Sequence, residues 1–337
     1  MLKIVYILST YLFLFIGNIL AIDIIVYSGR HYDVDKQIAD LFYQKTGNKI
    51  IFVNASNDIL LSKLELSKNE KADILITTDA YSIIKAKNKN LLEPFKSKLV
   101  DTVVNTNLKD KDNTFTAFTK RYRVIVYNTK KVNINEISSY ADLADNKWNK
   151  KIMLRASNSS YDIFFIANLI NVWGIDKTQK YLKNLLTNTV QKPYGKDREQ
   201  IIAVASNFAD LSIVNSYYYG QVLNSKDEKE KDLLKNIKLF FPNSTQDIKG
   251  SHVNISAIGV LKQSKNKKEA LDFIEFLLSP EIQELIMNTN YEHPINKAVK
   301  LNSTLVQFGI IKETVSSIED ISKHYQEAIK LIENSNW

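Results

Sequence analysis

Apolar positions along the chain switch between two rhythms. Ile22 to Tyr27 is a short β-rich run, and the segment after it places Ile38, Ala39, Leu41 and Phe42 on one helical stripe ended by Gly47. "KIIFVN" reads as the next strand. "ADILITTDAYSIIKAKNKN" repeats the theme, with a strand over Asp73 to Ile76 and a helix from about Ala80. Farther on, "KIMLRAS", the helix "YDIFFIANLINVWG" and "DLSIVNS" form another such set. Strands alternating with helices predict an α/β fold with mostly parallel sheets.

Two apolar runs do not fit that alternation. Thr114 to Tyr127 is too long for an ordinary strand of about five or six residues, and a strand of that length can cross between two lobes. His252 to Leu261 is a second candidate crossing. Lobe one is therefore expected to be discontinuous, 22–118 plus 257–300, with lobe two inserted as 119–256 and bearing hinge strands at both ends. The remainder, 301–337, reads as C-terminal helices packing on the lobes. Such a molecule closes on a ligand by hinge motion about its crossing strands.

The first 21 residues have a different character. "MLKIVYILSTYLFLFIGNILA" carries one early charge, Lys3, then an apolar run through Ile16 and a small residue, Ala21, at its end. That order predicts a secretory signal peptide, an uncleaved anchor being the alternative. The cysteine count is zero, which removes disulfides, thiolate metal sites and a lipid-bearing cysteine. Export without these features points to the periplasm. The net charge of +8 comes from lysines spread along the chain, so no basic stripe for nucleic acid is present.

Candidate chemistry gathers at strand-to-helix junctions, where open α/β sheets bind their ligands. "SGRHYD" brings His31 and Tyr32 to the first junction. "RASNSSYDIF" places Ser160 and Tyr161 at the start of a helix in lobe two. "IVNSYYYGQ" follows a strand with three consecutive tyrosines, Tyr217, Tyr218 and Tyr219. Phenols side by side suit either stacking on an organic ligand or a hard trivalent cation, which drives protons off phenols as zinc does off thiols. Arg121 and Arg123 share one strand face. Arg121 is expected nearer the cleft, to offset surplus negative charge, and Arg123 to pair with surface carboxylates. No H-E-x-x-H helix, G-x-S-x-G elbow or phosphate-binding glycine loop is present, and no acid/base pair assembles, so no enzyme is predicted. A secreted hydrolase is the rival of another class, and an organic ion on the tyrosines is the rival within the fold.

"VYSGRHYDVD", "ADILITTDA", "RYRVIVYN", "LRASNSSYD", "KPYGKDREQI", "IVNSYYYGQ" and "HVNISAIGVLK" together give the chain a resemblance. In content, order and spacing it is similar to the tyrosine-rich periplasmic ferric-iron-binding proteins of bacterial ABC importers. The resemblance implies a type II periplasmic binding fold, two α/β lobes joined by crossing strands. It implies Fe³⁺ as the transported ligand, held by His31 and Tyr32 from lobe one and by Tyr161, Tyr217 and Tyr218 from lobe two. Tyr219 would not touch the metal. Arg121, Ser160 and Asn215 would support the donors, and the resemblance leaves room for a synergistic anion such as carbonate. The implied partners are an inner-membrane ABC permease and its ATPase, served by a monomer. Gln221 stands where related proteins often carry a basic residue, which puts more weight on Arg121.

Overall fold

Apolar alternation becomes a sheet because each strand is buried on at least one face and each following helix covers it. The computed structural model describes residues 21–67, 71–242, 249–335 and 337, so the expected signal peptide, apart from Ala21, lies outside the described residues. Its strands are β1 (Asp23–Ser28), β2 (Lys49–Asn54), β3 (Ile74–Thr77), β4 (Leu92–Glu93), β5 (Thr116–Asn128), β6 (Ile152–Met153), β7 (Leu211–Asn215), β8 (Ile237–Phe240), β9 (Val253–Leu261) and β10 (His293–Pro294). They follow the order β2-β1-β3-β9-β5-β7-β6, with β4 beside β9 and with β8 and β10 beside β5.

β1 runs parallel to β2 and β3, as βαβ crossovers require. The intervening helix Asp33–Thr46 buries Val34, Ile38 and Phe42, and Gly47 ends it in the left-handed conformation (φ 75°) that a glycine adopts without strain. Asp79 caps the helix Ala80–Asn88, its carboxylate accepting from the Ser82 amide at 2.8 Å. β6 and β7 repeat the parallel arrangement in the second half of the molecule.

β5 joins the two halves. Thr116 to Tyr122 pair with β9, and Arg123 to Asn128 pair with β7 and β8, so one strand serves two sheets. Every residue of β5 except Lys120 is buried, as is every residue of β9. β9 lies antiparallel between β3 and β5. At Gly259 a Cβ would stand 2.8 Å from the Thr114 carbonyl oxygen, an approach that only glycine permits. The C-terminal helices, Ile318–Ser322 and Tyr325–Asn334, pack on the helix Ser160–Trp173.

Candidate functional site

Four phenols meet where helices begin. Tyr32 occupies the position before the helix Asp33–Thr46, and its amide donates to Asp35 Oδ2 at 3.1 Å. Tyr161 is the second residue of Ser160–Trp173, whose cap is Ser159, the hydroxyl accepting from the Tyr161 amide at 3.2 Å. Tyr217 and Tyr218 lie in the first turn of Ser216–Leu223, with their rings stacked at 4.1 Å. Helical geometry turns the third ring away: the Tyr219 hydroxyl donates to the Ile237 carbonyl at 2.9 Å, far from the other phenols' role.

The four oxygens feel one another. Burial pushes the Tyr217 phenol well above its ordinary value, with Tyr161, Tyr32 and Tyr218 adding to the effect. Burial also raises Tyr32, helped by Glu292 and Tyr161. Tyr218 is pushed up to about 12 by burial, then by Asp197 and Tyr161. Tyr32, Tyr217 and Tyr218 are therefore neutral phenols near pH 7 in this setting. The Tyr217 hydroxyl is buried without a well-formed hydrogen bond among the described residues, the Tyr218 phenol being the neighbour that approaches it. A buried polar atom left unpaired is costly.

Guanidinium groups ring this cluster. Arg121 lies 5.1 Å from the Tyr161 ring centre and Arg155 5.6 Å, while Arg30 lies 4.6 Å from that of Tyr32. Arg30 and Arg121 share the buried Glu292 at 3.0 and 3.3 Å, and the Ser256 hydroxyl accepts from both at 3.1 Å. Burial would raise the Glu292 carboxyl, but the two arginines outweigh it and hold it low. Arg121 also donates to the carbonyls of Thr78 and Ile255.

The expectation that Arg123 pairs with surface carboxylates is overturned. Arg123 is 1% exposed and holds two buried ones, Asp162 and, at 2.7 Å, Asp197. Arg155 reaches Asp197 at 2.6 Å and Asp162 at 3.5 Å, closing a second network beneath Tyr161 and Tyr218. Burial dominates the balance at Asp162 and lifts it to about 6. Asn215 donates to Asp197 at 3.3 Å, which ties the strand before the tyrosine triple to this network.

His31 stands apart from the phenols. Its side chain is exposed, its ring centre is 6.3 Å from that of Tyr32, and it lines a cavity of about 840 Å³ together with Ser160. Asn57, Thr78, Lys85 and Asn158 give this cavity a polar wall. Among the described residues no three histidine, cysteine or carboxylate side chains gather as a metal site.

Sequence reasoning missed Glu292, Arg30, Arg155 and the two aspartates. Asp162 and Asp197 sit in the quoted strings "LRASNSSYD" and "KPYGKDREQI", where a charged residue beside an apolar strand end was the available signal. Glu292 offers no local signal, since its partners are Arg30 and Arg121.

Residues 69–307 match the family described as bacterial extracellular solute-binding protein. Iron uptake protein A1 of Synechocystis sp. is 35% identical over 316 residues, spanning 94% of this chain and 87% of that protein. A Trichodesmium protein (IdiA, FutA) solved in complex with iron and citrate ligands superposes with a TM-score of 0.88 at 35% identity, covering 94% of this chain and 99% of that one. The ferric binding protein from Campylobacter jejuni gives 0.87 at 35%, covering 93% and 99%.

Proposed function

Because this chain belongs to the bacterial extracellular solute-binding proteins, which are binding proteins rather than enzymes, we propose that it captures ferric iron between Tyr32, Tyr161, Tyr217 and Tyr218 and delivers it to an inner-membrane ABC permease and its ATPase. The observation that carries this reading is the convergence of four phenols around the buried, unpartnered hydroxyl of Tyr217. Hard phenolate oxygens suit Fe³⁺, by extension of the softness rule. Relatives named for iron uptake and ferric binding support the same choice.

The mechanism follows from charge. The metal must displace the phenolic protons, so binding releases protons and weakens in acid. Four phenolates around Fe³⁺ leave one surplus negative charge. Glu292 is shared by two arginines, so Arg121 retains part of its field for the phenolates above it. Arg123, Arg155, Asp162, Asp197 and Asn215 fix the second-half phenols from below. His31 supplies a further donor from the rim when the cleft tightens. The polar cavity beside His31 and Ser160 has room for a small anion such as carbonate to complete the shell.

In this scheme lobe one is 22–118 plus 257–300, lobe two is 119–256, and the C-terminal helices of 301–337 pack on the lobes. Tyr32 closes from lobe one onto a metal already held by the lobe-two phenols. The protein works as a periplasmic monomer, exported by its N-terminal signal segment.

Purified protein mixed with ferric citrate at neutral pH should develop a phenolate-to-iron charge-transfer band in the visible. Tyr217→Phe and Tyr218→Phe should each remove much of it, and Tyr219→Phe should leave it nearly intact. No band in the wild-type protein would sink the ferric assignment. Equal losses from all three variants would sink the division of labour within the triple.

A further inference from the structure

Outside the phenol cluster, an aromatic contact spans the edge of the cleft. Tyr81 belongs to the helix Ala80–Asn88, directly after β3, and Tyr325 opens the C-terminal helix Tyr325–Asn334. Their rings lie face to face, 3.4 Å apart and 3° from parallel, and the Gln326 side-chain amide donates to the Tyr81 hydroxyl at 2.8 Å. Nothing in the capture of a metal by four phenols requires this pair.

The C-terminal helix is fastened much more firmly to the second half of the molecule. It buries Ala328, Leu331 and Ile332, and it packs on Ser160–Trp173, the helix that carries Tyr161. Trp337 Nε1 donates to the Arg155 carbonyl at 2.9 Å, and the Asn171 side chain to the Ser316 hydroxyl at 3.0 Å. Toward the first half the helix Tyr325–Asn334 offers the Tyr81–Tyr325 stack and the Gln326 bond. The short helix Ile318–Ser322 before it, with Ile318 and Ile321 buried, packs on both halves, with an ion pair from Lys87 to Glu319 at 2.8 Å and the Asn107 side-chain amide on the Val315 carbonyl at 3.1 Å. Apolar burial holds a helix in place, whereas a stack and a few polar contacts can part and re-form in water. A hinge opening should therefore split the molecule along the face of Ala80–Asn88. Tyr81, Tyr325, Gln326 and Ile329 also line the cavity of about 840 Å³ that His31 and Ser160 border from the site, so the contact lies on the cleft's own edge.

From these contacts we infer that Tyr81, Tyr325 and Gln326 form a latch that holds the cleft closed and sets the rate at which the bound solute escapes. Tyr325 and Gln326 travel with the half that carries Tyr161, Tyr217 and Tyr218, and Tyr81 with the half that carries Tyr32. The stack re-forms only when those phenols come together. It is flat and apolar on both faces, so it closes without a register of charges to match. The latch rests on the ferric reading for one of its two readouts only.

The first readout is iron release from the loaded wild-type protein to excess chelator, followed by decay of the visible band. Tyr81→Ala and Tyr325→Ala should each speed release about fivefold or more, as the loss of one aromatic pair implies. Tyr325→Phe keeps the stack and should release at the wild-type rate. Tyr81→Phe, which loses the Gln326 bond, should fall between. The second readout needs no metal: by small-angle scattering, metal-free Tyr81→Ala should have a larger radius of gyration than metal-free wild type. Tyr81 is only half-buried, so this variant should fold even if Tyr325→Ala does not. If Tyr81→Ala leaves both release and scattering unchanged, or Tyr325→Phe releases as fast as an alanine variant, the latch is wrong. If the wild type gives no visible band while Tyr81→Ala still expands, the ferric reading fails and the latch stands.

Discussion

Replacing Tyr218 by phenylalanine isolates a single proton. Its phenol is held at about 12 by burial, Asp197 and Tyr161. At pH 7 the ionised form is thus about five pH units out of reach, a cost of about 7 kcal/mol at 1.36 kcal/mol per unit, which only the metal can offset. A group that must lose its proton to bind adds about one decade of apparent affinity per pH unit, for as long as the pH stays below its own metal-free value. Four phenols give a slope of about four decades per unit between pH 6 and 8, shifted by whatever protons the competing ferric chelate takes up. Tyr218→Phe removes one donor and should lower that slope by about one. The assay is competition against a ferric chelate of fixed composition, read by the visible band across this pH range and checked by proton release in weak buffer. Tyr219→Phe is the control, because its hydroxyl is committed to the Ile237 carbonyl. An unchanged slope in Tyr218→Phe would show that Tyr218 keeps its proton when iron is bound, and the four-phenolate mechanism would fail.

Other outcomes follow from the same contacts. Glu292→Gln strips Arg30 and Arg121 of their shared buried carboxylate, and thermal or denaturant unfolding of the metal-free protein should register a loss of about 3–5 kcal/mol. Gly220→Ala would drive a Cβ to 2.6 Å from the Tyr291 Cβ, so the helix bearing Tyr217 and Tyr218 must shift; unfolding midpoints should fall and the visible band should weaken or move. His252 is buried, and desolvation, assisted by Arg123, lowers it from 6.5 to about 3. The unfolded chain binds a proton below about 6.5 that the folded chain refuses until about 3, so stability should decline as pH falls through that window. Denaturant unfolding of His252→Asn should show a flatter acid limb than wild type.

The strand–helix alternation and the long crossing strand were legible because burial imposes a period on local sequence. "SGRHYD" and "SYYYGQ" announced themselves for the same reason: each follows an apolar run and precedes a helical stripe. Arg123 shows where local reading stops. Alternation put it on the same face as Arg121, but periodicity cannot say that β5 is buried on both faces, which depends on what packs there. Asp162 and Asp197 arrive from separate helices, and Glu292 comes from a loop far along the chain. Partners so distant leave no spacing to read. His31 and Tyr32 are neighbours in sequence, yet the His31 side chain is exposed while Tyr32 is partly buried, because the backbone at Tyr32 turns into its helix while His31 remains at the rim.

β5 has a further consequence. Arg121 is anchored to Glu292 on one side of the molecule and Arg123 to Asp162 and Asp197 on the other, two residues apart on one strand. Between them Tyr122 donates its amide to the Ser216 hydroxyl at 3.3 Å and its phenol to Glu313 at 2.5 Å. In kinematic terms the molecule has an axle riveted at both ends, and the residue between the rivets, Tyr122, is itself pinned. Rotation of one half against the other would load this stretch of β5, to which the Ser216 hydroxyl ties the helix that presents Tyr217 and Tyr218.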